Sequence, residues 1–227
     1  MAEGSYKLIA SAAASAGRLV AAYSRAVASP AFTEIVLEAP CPQAPAVWIG
    51  WHEANLIALA LHPRVSDRAA MAFVPPGLHG AAMRGWLETL DVTPVPLAPD
   101  ARRGLALRQM EAALACGKDV LIAVDGPRGP RHRVAPGALW LARAMGVEIR
   151  PVGSAASPAL RLPRWDRLIV PLPGARIALV VGAALPKQIS PQSKTCLAAT
   201  LHGLSERALA AVARERTLKP REALPWR

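Results

Sequence analysis

The chain has 227 residues, 52% apolar but only 4% aromatic, which is enough for one sizeable domain whose core rests on Ala, Leu and Val. The net charge of +11 is uneven: six basic and eight acidic residues precede Arg102, and 21 basic and eight acidic residues follow from there, which fits either contact of the second half with an anionic surface or a solubilising basic surface. Cys41, Cys116 and Cys196 are odd in number and far apart, which argues against a disulfide framework or a zinc site and for a reducing compartment.

Residues 5–28 read as a helix that stops before Pro30. Ser11, Ser15, Gly17, Arg18, Ser24 and Arg25 interrupt its apolar character, so it is expected to lie on the protein or a membrane surface rather than to cross a bilayer. Residues 32–37 and 46–51 have the β-branched and apolar content of strands. A helix over 53–61 ends at His62-Pro63, and a strand over 70–74 ends at Pro75-Pro76-Gly77. A helix over 79–90, a short strand over 92–97 and a helix over 103–116 follow, the last with Leu105, Met110 and Leu114 on its apolar side. Next come a strand over 119–124, a helix over 136–145 that stops at Gly146, and a strand over 147–153. Strands near 167–171 and 176–182, joined by Pro171-Leu172-Pro173-Gly174, read as an antiparallel hairpin at one edge. A final helix runs from about 191 to 215.

Alternating strands and helices predict an α/β fold: a single domain with a mixed, mainly parallel sheet flanked by helices. The expected divisions are an N-terminal helix able to contact a membrane surface (1–30), the α/β domain (31–218) and a loose tail (219–227).

The most informative stretch is Asp119 to Pro136. An apolar strand breaks at Asp125-Gly126-Pro127-Arg128-Gly129-Pro130 and is followed by Arg131, His132 and Arg133. Ligands of open α/β folds sit just beyond the carboxyl ends of strands, and arginines held there on a stiff turn suit a phosphate. His52 follows another strand, after Trp48-Ile49-Gly50-Trp51, and histidine is the usual general base at neutral pH. Taken alone, it reads more readily as a side chain packed beside two tryptophans. Arg102-Arg103-Gly104 opens a helix, where an anion would be favoured. No Walker loop, dinucleotide glycine fingerprint, GxSxG elbow or HExxH helix is present. The basic residues are not interleaved with aromatics, so no nucleic-acid partner is expected.

This order of features resembles the DUF374 branch of the lysophospholipid acyltransferase superfamily, from about Trp48 to Leu185. The residues that carry the resemblance are Trp51-His52, Val124 to Pro130 with Pro136-Gly137-Ala138, Pro151-Val152, and Trp165-Asp166-Arg167 before Ile169-Val170-Pro171-Leu172-Pro173. It implies a glycerol-phosphate acyltransferase-like fold and acyl transfer from acyl-CoA or acyl carrier protein to a hydroxyl of a lysophospholipid or related anionic lipid. By resemblance His52 is the catalytic base. Asp125, Gly126 and Arg128 occupy the phosphate-binding block, and Arg103 and Arg131 assist it. No cofactor is implied beyond the thioester co-substrate, and no metal, because a thioester is already activated. The expected location is cytoplasmic, peripheral on the inner face of the cytoplasmic membrane.

Two departures from the superfamily pattern bear on activity. The aspartate that normally follows the histidine by five residues is Ile57 here, while Asn55 shares a helical face with His52 and could fix its tautomer. The segment Phe73 to Gly80 is apolar and proline-rich where relatives carry polar residues. Both leave open an alternative, a non-catalytic, membrane-associated lipid-binding protein of the same fold.

Overall fold

A computed structural model describes residues 2–97, 103–185 and 193–214. Seven strands form one sheet in the order β1-β7-β6-β2-β5-β3-β4. They are β1 (Thr33–Leu37), β2 (Ala46–Gly50), β3 (Ala70–Val74), β4 (Val92–Pro96), β5 (Asp119–Ala123), β6 (Glu148–Arg161) and β7 (Ile169–Val181). Neighbouring strands are parallel except for β6 and β7. The helices are α1 (Ala2–Val27), α2 (Asn55–Leu61), α3 (Gly77–Thr89), α4 (Arg103–Ala115), α5 (Gly137–Met145) and α6 (Ser193–Ala213). The single α/β domain expected from the alternation is therefore what forms.

The apolar residues of α1, α2 and α3 pack on one face of the sheet, around Trp48, Ile57, Leu61, Leu87 and Leu179. Those of α4, α5 and α6 pack on the other, around Ile49, Met110, Leu141 and Leu201. The first helix is held by close contact: a Cβ on Gly17 would lie 1.9 Å from the Ala82 carbonyl oxygen, and one on Gly85 2.1 Å from that of Ala14. Small residues let α1 and α3 approach to backbone contact there.

The expected hairpin at residues 167–182 does not form. Ile169 to Val181 is one continuous strand, antiparallel to β6, which runs well beyond its expected end at residue 153. Ser154 and Ser157 lie within β6, beyond the expected end of that strand. Prolines break a strand only where their missing N–H is needed. Here β1 pairs with β7 only from Ile177 to Val181, so Pro171 and Pro173 sit where β7 lacks a neighbour on that side. Pro94 and Pro96 likewise lie on the edge strand β4, where they discourage further strand pairing.

At the amino end of β5, Asp119 ties the strand to its surroundings. Its carboxylate accepts the Ala46 N–H at 2.9 Å and the Ser66 hydroxyl at 2.6 Å, and lies 3.1 Å from His62 Nε2. Burial pushes its pKa up, but the hydrogen bonds from His62, Ser66 and Ala46 outweigh this and hold it below the usual value. A depressed folded-state pKa gives stability that is complete above the unfolded value of about 3.9 and is lost as pH falls through the folded one. Asp119→Ala, which strands His62 and two further donors in the interior, should cost about 3 kcal/mol or more at pH 7. Urea denaturation measures it, and the deficit against wild type should shrink below about pH 4.

Candidate active site

The site follows from the crossover pattern. β2 and β5 are neighbours, yet β2 leads into α2 on one face and β5 leads toward α5 on the other. Adjacent strands whose continuations part in this way open a crevice at their carboxyl ends. Trp51 and His52 leave β2 there, and the turn from Asp125 leaves β5.

Trp51 turns to the α6 face, where its ring lies against those of His132 and His202, with centroids 4.8 and 5.2 Å away. Asp125 is 3% exposed and binds the two segments together, accepting the His52 N–H at 2.9 Å and the His132 N–H at 3.2 Å. Its carboxylate is therefore committed to holding the turn against the histidine. Gly126 and Gly129 both have positive φ, and Arg128 is exposed at the tip between them.

His52 is held from a third segment. Its Nδ1 lies 2.9 Å from Oδ2 of Asp166, which is 0% exposed and 114 residues away in the chain. An ionised carboxylate only accepts, so Nδ1 carries the hydrogen and Nε2 keeps its lone pair. Asp166 lies in the turn between β6 and β7, with Arg164 Nη2 3.4 Å from the same carboxylate oxygen. Trp165, beside it, is wedged between two site elements. Its ring centroid is 5.1 Å from that of His52, and a Cβ on Gly129 would lie 2.7 Å from its Cε3. Glycine is thus required at 129 both by φ +70 and by contact with the tryptophan.

Glu53, buried beside His52, gathers charge. Its Oε2 accepts from Arg131 Nε at 2.9 Å, from Arg131 Nη2, and from Arg161 Nη1 at 3.2 Å. His132 Nε2 lies 3.3 Å from Oε1. Burial lowers the His132 pKa, as do Arg131 and His202, while Glu53 opposes them. His79, on the first turn of α3, faces the same region. Partial burial lowers its pKa, followed by Arg164 and His52, against an opposing effect of Asp166.

Of the sequence-predicted site residues, His52, Asp125, Gly126, Arg128 and Arg131 lie on the two segments that leave the carboxyl ends of β2 and β5, which Asp125 joins. Arg103 begins α4, but its side chain lies outside the described residues. Ile57 is 1% exposed in the apolar core, so a carboxylate at its position would have faced the interior. Asn55 is not what holds Nδ1 of His52; Asp166 is. Sequence reasoning missed the roles of Asp166, Glu53, Arg161 and Arg164. Its only signal was the Trp165-Asp166-Arg167 motif, which carried no indication of its partner.

No family profile matches the chain. An uncharacterised protein of Rickettsia prowazekii (strain Madrid E) is 28% identical over 135 residues, 60% of this chain, and the chain spans only 61% of that relative's length. Among solved structures, a 1-acyl-sn-glycerophosphate (LPA) acyltransferase from Thermotoga maritima is similar, with a TM-score of 0.52 and 17% identity over 88% of this chain and 80% of that one. At that identity the likeness shows a shared fold.

Proposed function

We propose that this chain, which shares its fold with a lysophosphatidate acyltransferase, transfers an acyl group from acyl-CoA or acyl carrier protein to a hydroxyl of a lysophospholipid or related anionic lipid. The observation that carries the reading is the His52–Asp166 pair, set beside an arginine-bearing turn. His52 Nε2 takes the acceptor's hydroxyl proton as the oxygen attacks the thioester carbonyl. The C–S bond then breaks, and the imidazolium returns the proton to the departing thiolate. Asp166 holds the reactive tautomer and offsets the imidazolium charge. Arg128 and its neighbours bind the acceptor's anionic group.

The non-catalytic alternative drew its support from Ile57 and from the apolar segment Phe73 to Gly80. With a carboxylate supplied from the β6–β7 turn, Ile57 no longer favours it. The deciding assay offers labelled acyl thioesters and a panel of lysolipids to the purified protein. Label should appear in a doubly acylated lipid, and failure with every donor and acceptor would sink the reading.

The same reading places the protein on a membrane surface. No helix among the described residues is long and apolar enough to cross a bilayer. However, α1 exposes Tyr6, Leu8, Ile9 and Leu19, and α3 exposes Leu78 next to His79. An apolar stripe beside a cationic domain suits an anionic lipid interface. Since burying a leucine is worth about 1.5 kcal/mol or more, Leu8→Asp with Leu19→Asp should weaken binding to anionic vesicles by about a hundredfold. Co-sedimentation at matched salt reads this, and equal binding would remove α1 from the interface.

A further inference from the structure

The Glu53 cluster holds more positive charge than a structural tie requires. A single arginine would neutralise this carboxylate, and Arg131 alone would tie the 125–133 turn to the segment after β2. Two are present, Arg131 and Arg161, both on Oε2. Even with His132 neutral, the group has a net charge of +1. The carboxylate is 8% exposed, whereas Arg131 and Arg161 are 30% and 41% exposed, so the negative charge is covered and the positive charge faces out.

Donor capacity remains on that outer side. A guanidinium has five N–H groups. Arg131 commits Nε and Nη2 to Glu53 and Arg161 commits Nη1, which leaves Nη1 of Arg131 and Nε and Nη2 of Arg161 free of Glu53. Two forks fixed on one buried template match a tetrahedral oxyanion, and charge-assisted bonds of this kind are about twice as strong as neutral ones. Glu53 immediately follows His52, and Arg131 lies in the turn that Asp125 fastens to the His52 backbone. An anion held there would be close to the base.

We propose that Arg131 and Arg161, oriented by Glu53 as a positioning residue, form a binding site for a phosphate oxyanion next to His52. Arg161 is a specificity residue contributed from the far end of β6. The identity of the ligand rests on the acyl-transfer reading, in which the phosphate belongs either to the acceptor headgroup or to the phosphopantetheine-bearing donor. The site itself does not rest on that reading.

The test measures inorganic phosphate binding to the full chain by calorimetry, together with transfer kinetics for lysophosphatidate and two donors, acyl-CoA and an acyl-N-acetylcysteamine thioester without phosphates. Arg161→Ala is expected to weaken phosphate binding about tenfold or more, with Arg161→Lys recovering part of the loss. Glu53→Gln, which frees both guanidiniums from their template, should weaken it in the same direction. The matching rise in KM, with kcat held, should appear for lysophosphatidate if the phosphate is the acceptor's, and for acyl-CoA alone if it is the donor's. Arg143→Ala, on the exposed side of α5, serves as the control and should change nothing. Phosphate binding by Arg161→Ala equal to wild type overturns the proposal, as does a wild type that binds none. Lower melting temperatures in Glu53→Gln and Arg161→Lys with unchanged phosphate binding would reduce the cluster to a structural lock. Should the alanine variant fail to fold, the lysine and glutamine variants decide on the same readouts. If the protein binds phosphate through Arg161 but transfers no acyl group, the acyl-transfer reading falls and the site stands. If it transfers acyl groups while Arg161→Ala changes neither binding nor KM, only the site falls.

Discussion

His52→Ala is expected to lower kcat for acyl transfer by about four orders of magnitude while leaving vesicle and phosphate binding intact. General-base catalysis contributes roughly 10²–10⁴ in rate. In the proposed reaction the same imidazole also reprotonates the leaving thiolate, so its loss is expected at the upper end. Added imidazole should restore part of the rate, because the cavity left by the side chain still borders Asp166 and Trp165. A variant with wild-type turnover would show that the chemistry is elsewhere.

Asp166→Asn should cost about 10²–10⁴ in kcat with KM for the acceptor nearly unchanged. The substitution preserves shape, so its effect is electronic. An asparagine amide turned to donate toward Nδ1 drives the hydrogen onto Nε2, where the lone pair is needed. Turned the other way, it still accepts from Nδ1 but offers no charge to balance the imidazolium. Single-turnover kinetics separate this from a binding defect. A loss confined to KM would mean that Asp166 only shapes the site, with Arg164 3.4 Å away. Asn55→Ala is the informative partner: because Asp166 already occupies Nδ1, its effect should be small beside that of Asp166→Asn.

The two variants also test whether Ile57 is compatible with the proposed activity. A superfamily aspartate on the helix after the histidine would reach the imidazole from its own segment. In this chain that helical position points into the core among Leu61, Leu87 and Leu179, where an unpaired carboxylate would be costly. The charge comes instead from the turn between β6 and β7, reached only because these two strands extend past the parallel part of the sheet and fold back. The extension also carries Arg161 to Glu53 and Trp165 to Gly129, so one arm supplies three contacts to the site.

The elements themselves were largely legible. The strand over 70–74 and the helix ending at Gly146 were readable because hydrophobic period and turn residues act within a few positions. The turn at Asp125 and the position of His52 after a strand were legible for the same reason. The β6–β7 pair was misread because Pro171, Pro173 and Gly174 are local breaking signals, whereas tolerance of proline depends on whether a neighbouring strand needs the N–H.

By itself, then, the sequence determined the alternation of elements, the stiff arginine-bearing turn and a histidine at a strand's end, since each is specified by residues a few positions apart. Only the tertiary structure decided what those residues meet. His52 with Asp166 and Glu53 with Arg161 join positions 114 and 108 residues apart, and no local periodicity encodes such pairs. They arise from strand order and from the length of one antiparallel arm. Sequence spacing put the missing carboxylate at Ile57. The fold supplies it from Asp166, because an imidazole needs only an acceptor within hydrogen-bonding distance, whichever part of the chain provides it.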